Sequence, residues 1–218
     1  MTALLYLIRR NTKLYFKDKG LFFSSLITPL ILLVLYATFL ANVYRDSFVS
    51  ALPEGMQVAD SLIDATVGGQ LISSLLAVSC VTVAFCCNMV LVQDKVNGSR
   101  RDLTVSPVSR STLAAGYYAS AMISTLLVNC IALAASLLYL ANTGWYLTAF
   151  DVLKMLLDVL LLTLLGTALS SVINVFLSTQ GQMSAVGTIV SAGYGFFCGA
   201  YMPISQFGDG LQKVLAFL

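Results

Sequence analysis

Residues 21–41 contain no charged side chain, and four further apolar runs follow at residues 67–92, 113–141, 151–178 and 183–202. This repetition constrains the fold more than any other feature. About 20 consecutive apolar residues, wound as a helix, cross the hydrocarbon of a bilayer. The chain has 218 residues, 58% hydrophobic and 10% charged, and its mean hydropathy is +0.88. A soluble domain carries about 25% charged residues, and one of this length could not hide so much apolar surface. The expected fold is therefore all-α: a single polytopic transmembrane domain with five visible spans.

The runs differ in detail. Pro29 interrupts the helical hydrogen bonding of the first, and a kink is its expected effect. The second contains Ser73, Ser74, Ser79, Thr82 and Asn88, small or polar residues that allow close helix contact. Asn129 lies in the third. Asp158 lies about two turns into the fourth, where an acid is costly unless it faces protein, water or a partner charge. Lys154, four residues earlier on the same helical face, is one candidate partner, and a direct transport role is the alternative. In the fifth run, Gly195 and Gly199 form a small-xxx-small pair that favours a close helix crossing. Pro203 ends that run, and residues 203–218 are too short and too polar for a clean span, so a re-entrant or interfacial segment is expected.

The polar connections carry the orientation. Residues 1–20 hold Arg9, Arg10, Lys13, Lys17 and Lys19 among apolar positions, a pattern for a helix lying in the interface or for a basic flank. Gly20 is the expected break before the first span. Residues 42–66 are acidic, with a turn at Pro53 and Gly55, and read as a loop with one short helix. Residues 93–112 are basic, with Lys95, Arg100, Arg101 and Arg110 against Asp94 and Asp102. Trp145-Tyr146 sits in the turn at 142–150, suited to a membrane interface. Basic residues accumulate on the cytoplasmic side. The N-terminus and residues 93–112 are therefore expected inside, and the tail at 203–218 outside.

Several chemistries lack their residues. Without histidine, imidazole-dependent metal or haem sites are excluded. The five cysteines lie in apolar runs and suit packing. The chain contains no GxxxxGK[ST] phosphate loop, GxSxG elbow or HExxH, so no catalytic residue or metal ligand is assigned. The modest net charge of +2 gives no reason to expect nucleic acid. The polar 93–112 segment suggests that energy for transport arrives from a cytoplasmic partner, with this segment as the candidate receiver.

The chain resembles a permease subunit of the second type of ATP-binding-cassette exporters, the drug and polysaccharide export class. The most specific match is DKVNGSRRDLTVSPVSR, residues 94–110, where Gly98, Leu103, Ser106-Pro107 and Arg110 fit the family's cytoplasmic loop. The resemblance implies that this loop is a coupling helix docking on an ATPase, with Asp94, Asn97, Gly98, Arg100, Arg101, Asp102, Leu103, Pro107 and Arg110 as candidate contacts. It implies an N-terminal amphipathic elbow helix bearing Arg9, Arg10, Lys13 and Lys17. It also implies short outer-leaflet helices after span five and a sixth span beyond Leu218. Pro29, Asn88, Asn129, Asp158, Gly195 and Gly199 remain packing or pathway candidates. The implied partners are a second permease copy or homologous permease, two ATPase subunits that bind ATP and Mg, and membrane lipid. The implied location is a bacterial or archaeal plasma membrane. Cargo would be a drug, peptide, lipid or lipid-linked glycan. The alternatives are an ATPase-independent assembly or immunity protein, or a channel.

Overall fold

A computed structural model describes residues 2–52, 58–143, 145, 147–201, 207, 208, 210, 212 and 213. Among these, all regular structure is helical: α1 (Thr2–Lys17), α2 (Lys19–Leu35), a π-helical turn (Tyr36–Leu40), α3 (Ala41–Ser50), α4 (Asp60–Val96), α5 (Ser99–Val105), α6 (Arg110–Thr143), α7 (Ala149–Phe176) and α8 (Gln180–Phe197). Among the described residues four helical stretches are long and apolar enough to cross a membrane: Lys19–Ser50, Asp60–Val96, Arg110–Asn142 and Ala149–Phe176. The protein is thus an all-α polytopic membrane protein.

α4 is the axis. Of its most apolar window 78% is buried, against 22% for Lys19–Ser50 and 28% for α7. Helices α2, α6, α7 and α8 all pack on it. The apolar cluster at the α3 end joins Leu32, Tyr36, Leu40 and Tyr44 to Leu71, Leu75 and Val78 of α4.

α7 shows how lipid exposure inverts the usual helical pattern. Its buried stripe is Val159, Thr163, Gly166, Thr167, Ser170 and Asn174, while Leu157, Leu161, Leu165 and Val172 are exposed. Lipid solvates leucine as well as a protein interior does, so small and hydroxylated residues are the ones that gain from helix contact. A Cβ added at Gly166 would stand 2.8 Å from the carbonyl oxygen of Cys80, so glycine alone allows α7 this close to α4.

Several boundaries differ from those read in the sequence. The break after α1 lies at Asp18, which caps α2 by accepting a hydrogen bond from the Leu21 amide at 3.2 Å, and Gly20 is already helical. Residues 41–50 supply the short helix expected within 42–66, whereas residues 60–66 are the start of α4 rather than loop. Arg45 of α3 reaches Asp60 at 2.6 Å and Asp64 at 3.1 Å on α4, so these polar ends hold one another across the connection. The expected turn at Pro53 and Gly55 lies outside the described residues. Pro29 is buried inside a continuous α2; the departure from α geometry comes later, at Tyr36–Leu40, where the Ala41 amide bonds back to Tyr36.

α8 is 18 residues long and begins with a capping box, in which Thr179 and Gln182 bond reciprocally. Gly199 does not lie on a helix face. It has φ +66°, the Ala200 amide bonds to Gly195 and the Gly199 amide to Phe196, a Schellman ending. Among the described residues the space at Gly195 is taken by the ring of Tyr201 rather than by another helix. The expected re-entrant segment at 203–218 falls outside the described residues apart from a few positions.

Candidate functional site

The polar residues of 93–112 gather where α1, α4, α5 and α6 meet. α4 ends at Val96, and Asn97 takes the C-cap position, its amide bonded to the Gln93 carbonyl at 2.9 Å. Gly98 follows with φ +78°, a left-handed conformation that side chains with a Cβ resist. It reverses the chain into α5, which spans only seven residues. Ser106, extended and followed by Pro107, ends α5, and α6 starts at Arg110.

Asp94 does not face outward. Arg10 of α1 grips it with two bonds, Nη1 to Oδ2 at 2.7 Å and Nη2 to Oδ1 at 3.1 Å, and the Tyr117 hydroxyl of α6 donates to Oδ2 at 2.6 Å. The Asp94 side chain is 8% exposed and that of Arg10 34%. Hydrogen bonding to Asp94 raises the Arg10 guanidinium above its ordinary value. One carboxylate thus ties three helices together. A bidentate arginine–carboxylate pair is strong and directional.

α1 contributes more than that arginine. Leu7, Asn11 and Tyr15, four residues apart, form its buried stripe, and α6 is its main neighbour. Arg9, Lys13 and Lys17 are exposed on the other side. Leu7 and Tyr15 are set against protein, while Leu5, Tyr6, Leu14 and Phe16 are exposed.

Lys95 caps α7. Its Nζ donates to the carbonyls of Asn174 at 2.7 Å, Val175 at 3.2 Å and Leu177 at 2.8 Å. A cation at a helix C-terminus satisfies orphan carbonyls and the helix dipole together. Neither Tyr117 nor this cap was identified from sequence. A tyrosine one turn or more inside an apolar run looks like packing, and a lysine in a basic loop looks solvated.

The remaining positions divide between inside and outside. Leu103 packs with Leu7, Leu91, Leu113 and Tyr117, which anchors α5 from beneath. Asn97, Gly98, Arg101, Asp102 and Pro107 are exposed, and Arg100 is half-buried. Val105, at the tip of α5, is 82% exposed. Arg100, Arg101 and Arg110 line one cavity with Lys95.

Within the bundle, Asn88 donates to Ser170 and, at 3.2 Å, to Ser171, and Asn129 donates to Thr163 at 3.3 Å, so both asparagines bind α4 or α6 to the small face of α7. Asp158 is exposed and makes no ion pair among the described residues. Lys154 bonds Asp151 at 3.2 Å instead and sits 4.6 Å from the centre of the Phe150 ring. A groove of about 450 Å³ between α2, α4 and α8 carries the hydroxyls of Ser24, Thr28, Thr82, Ser184, Thr188 and Ser191. Among the described residues no group of three or more His, Cys, Asp or Glu side chains could hold a metal ion.

No curated protein and no solved structure matches the chain at a significant level. Residues 2–217 match the family described as ABC-2 type transporter. That match covers the α1–α4–α6 junction, the α5 turn and the membrane-crossing helices alike, and the chain therefore belongs to the ABC-2 type transporter family.

Proposed function

We propose that this membrane permease works as the translocating subunit of an ATP-driven exporter and that α5 is its coupling helix. Members of the family lack catalytic ATPase motifs, so ATP and Mg would be bound by two partner ATPase subunits. The observation that carries the reading is the construction of α5. It is a short helix set off by Gly98 and Ser106-Pro107, seated on Leu103, and topped by an apolar side chain, Val105, that is 82% exposed. A knob fixed to a rigid base can pass a push from a soluble partner into α4 and α6. Arg10–Asp94–Tyr117 extends that path to α1, the proposed elbow helix.

In this reading the N-terminus and α5 face the cytoplasm of a bacterial or archaeal cell, α8 supplies a fifth crossing, and a second permease copy or homologue completes the path. The hydroxyl-lined groove between α2, α4 and α8 is the face offered to cargo, a drug, peptide, lipid or lipid-linked glycan.

The test uses the permease co-purified with its ATPase in vesicles. Val105→Asp places a charge in the docking contact, and Gly98→Val opposes the φ of +78°. Both are expected to reduce cargo-stimulated ATP hydrolysis at least about tenfold, the effect of losing about 1.4 kcal/mol of coupling. Unchanged stimulation in both variants overturns the assignment of α5.

A further inference from the structure

The cavity beside α5 joins a basic lining to an apolar one. It measures about 760 Å³ and lies between the ends of α4, α6 and α7, with α5 along its edge. Its described lining includes four basic side chains and no acidic one. Lys95 is committed to the carbonyls that end α7. Arg100, Arg101 and Arg110 have no carboxylate partner among the described residues. Asp94, the nearest acid on α4, is held by Arg10 and Tyr117, and Asp102 of α5 does not line the cavity.

The apolar part of the lining is arranged differently. Leu91 and Leu113 are buried within the cavity wall. Val172 and Val175 are 62% and 63% exposed on α7, beside the exposed Phe176 at the end of the helix. The cavity thus has a cationic zone at the α5 end and an apolar zone that opens sideways along a membrane-crossing helix. A soluble anion would use only the first zone, and an acyl chain only the second.

We infer that this cavity binds one anionic glycerophospholipid from the surrounding leaflet, its phosphate held by Arg100, Arg101 and Arg110 and its chains lying along Val172 and Val175. Guanidinium groups hydrogen-bond phosphate oxygens in pairs, and basic pockets between transmembrane helices take acidic head groups. The volume falls within the range of about 300–1,000 Å³ typical of small-molecule sites, enough for a glycerophosphate group and the first methylenes of its chains. The bound lipid would fill the space between α5 and α7, so α5 would rest partly on lipid. This assignment does not depend on α5 meeting an ATPase.

The experiment places the full-length chain in nanodiscs of phosphatidylcholine alone or of phosphatidylcholine with phosphatidylglycerol. Retained lipid is read by native mass spectrometry after release, and the thermal midpoint is read in parallel. Wild type is expected to retain phosphatidylglycerol over phosphatidylcholine and to have a higher midpoint with it. Retention should fall about fivefold for each arginine neutralised in Arg100→Gln, Arg101→Gln and Arg110→Gln. Arg101 and Arg110 are exposed, so their single variants keep the test valid if the triple variant does not fold. Equal retention of the two lipids overturns the site, as does retention unchanged by the arginine variants. Glycerol 3-phosphate raising the midpoint in phosphatidylcholine as far as phosphatidylglycerol does would also overturn it, by assigning the cavity to a soluble anion.

Discussion

Asp94 and Asp158 are both carboxylates on helices built for lipid, and they have opposite surroundings. Asp94 stands near the end of α4, 8% exposed, with Arg10 and Tyr117 bonded to it. Asp158 is exposed on α7, at a groove it lines with Ser73 and Leu76 of α4, and Lys154 bonds Asp151 instead. In sequence Asp158 looks the more demanding residue, because it lies inside an apolar run and Asp94 lies at the edge of one. In the fold the demand reverses. What decides it is the neighbouring helix. Two helices bring polar groups to Asp94, and Asp158 is left to solvent, lipid head groups or another chain.

The sharpest way to break this comparison is Asp94→Ala. It leaves Arg10 with nothing to grip and Tyr117 without an acceptor. Removing one member of a buried pair costs about 3–5 kcal/mol; Arg10 is 34% exposed and can reach water, so about 2–3 kcal/mol is expected. Thermal unfolding in detergent measures it, and a loss under about 1 kcal/mol would make the three-helix tie unimportant.

Lys95→Met asks whether a charge satisfied by backbone alone matters as much. It strips the end of α7 of its contact with three carbonyls. The expected loss is about 1–2 kcal/mol, with faster hydrogen exchange concentrated at residues 174–177. Uniform exchange along α7 would contradict a capping role.

The smallest effect is expected for Asp158→Asn, within about 0.5 kcal/mol in the purified chain. If the assembled transporter shows the same small change, Asp158 has no partner in another subunit. A loss above about 1 kcal/mol that appears only on assembly would give it one, and the contrast with Asp94 would then hold for the single chain alone.

Much of the fold can be read from the chain because lipid imposes a simple demand. A crossing helix must be long and nearly uncharged, and residues 21–41, 67–92, 113–141 and 151–178 largely coincide with helices that meet it. The polar helix ends could not be read the same way. Residues 60–66 resemble a loop until Asp60 and Asp64 are seen beside Arg45. The site is harder still. Arg10 and Asp94 are 84 residues apart in sequence, and no local period connects them. The stripe Thr163, Gly166, Thr167, Ser170 and Asn174 was available as a signal, since small and polar residues at helical spacing in a leucine-rich run mark the protein-facing side. The close approach at Gly166 accompanies that stripe, whereas Gly195 is more conspicuous in sequence and, among the described residues, meets the ring of Tyr201 rather than another helix.

The π turn at Tyr36–Leu40 bears on how the first crossing helix can change length. Leu32, Tyr36, Leu40 and Tyr44 are buried at strict intervals of four. In an α-helix of about 3.6 residues per turn, such positions drift around the axis by roughly 40° at each step. A π turn is wider, equivalent to one inserted residue, and it takes up part of that drift. It lets Tyr36 donate to the Ala200 carbonyl and Tyr44 to that of Gly199 from the same side. Deleting one residue here would restore a regular ladder and rotate α3, carrying Tyr44 off the Gly199 turn and Arg45 off Asp60 and Asp64. The residue count of this helix is therefore fixed by the angular position of Tyr44 and Arg45 as well as by the thickness of the bilayer.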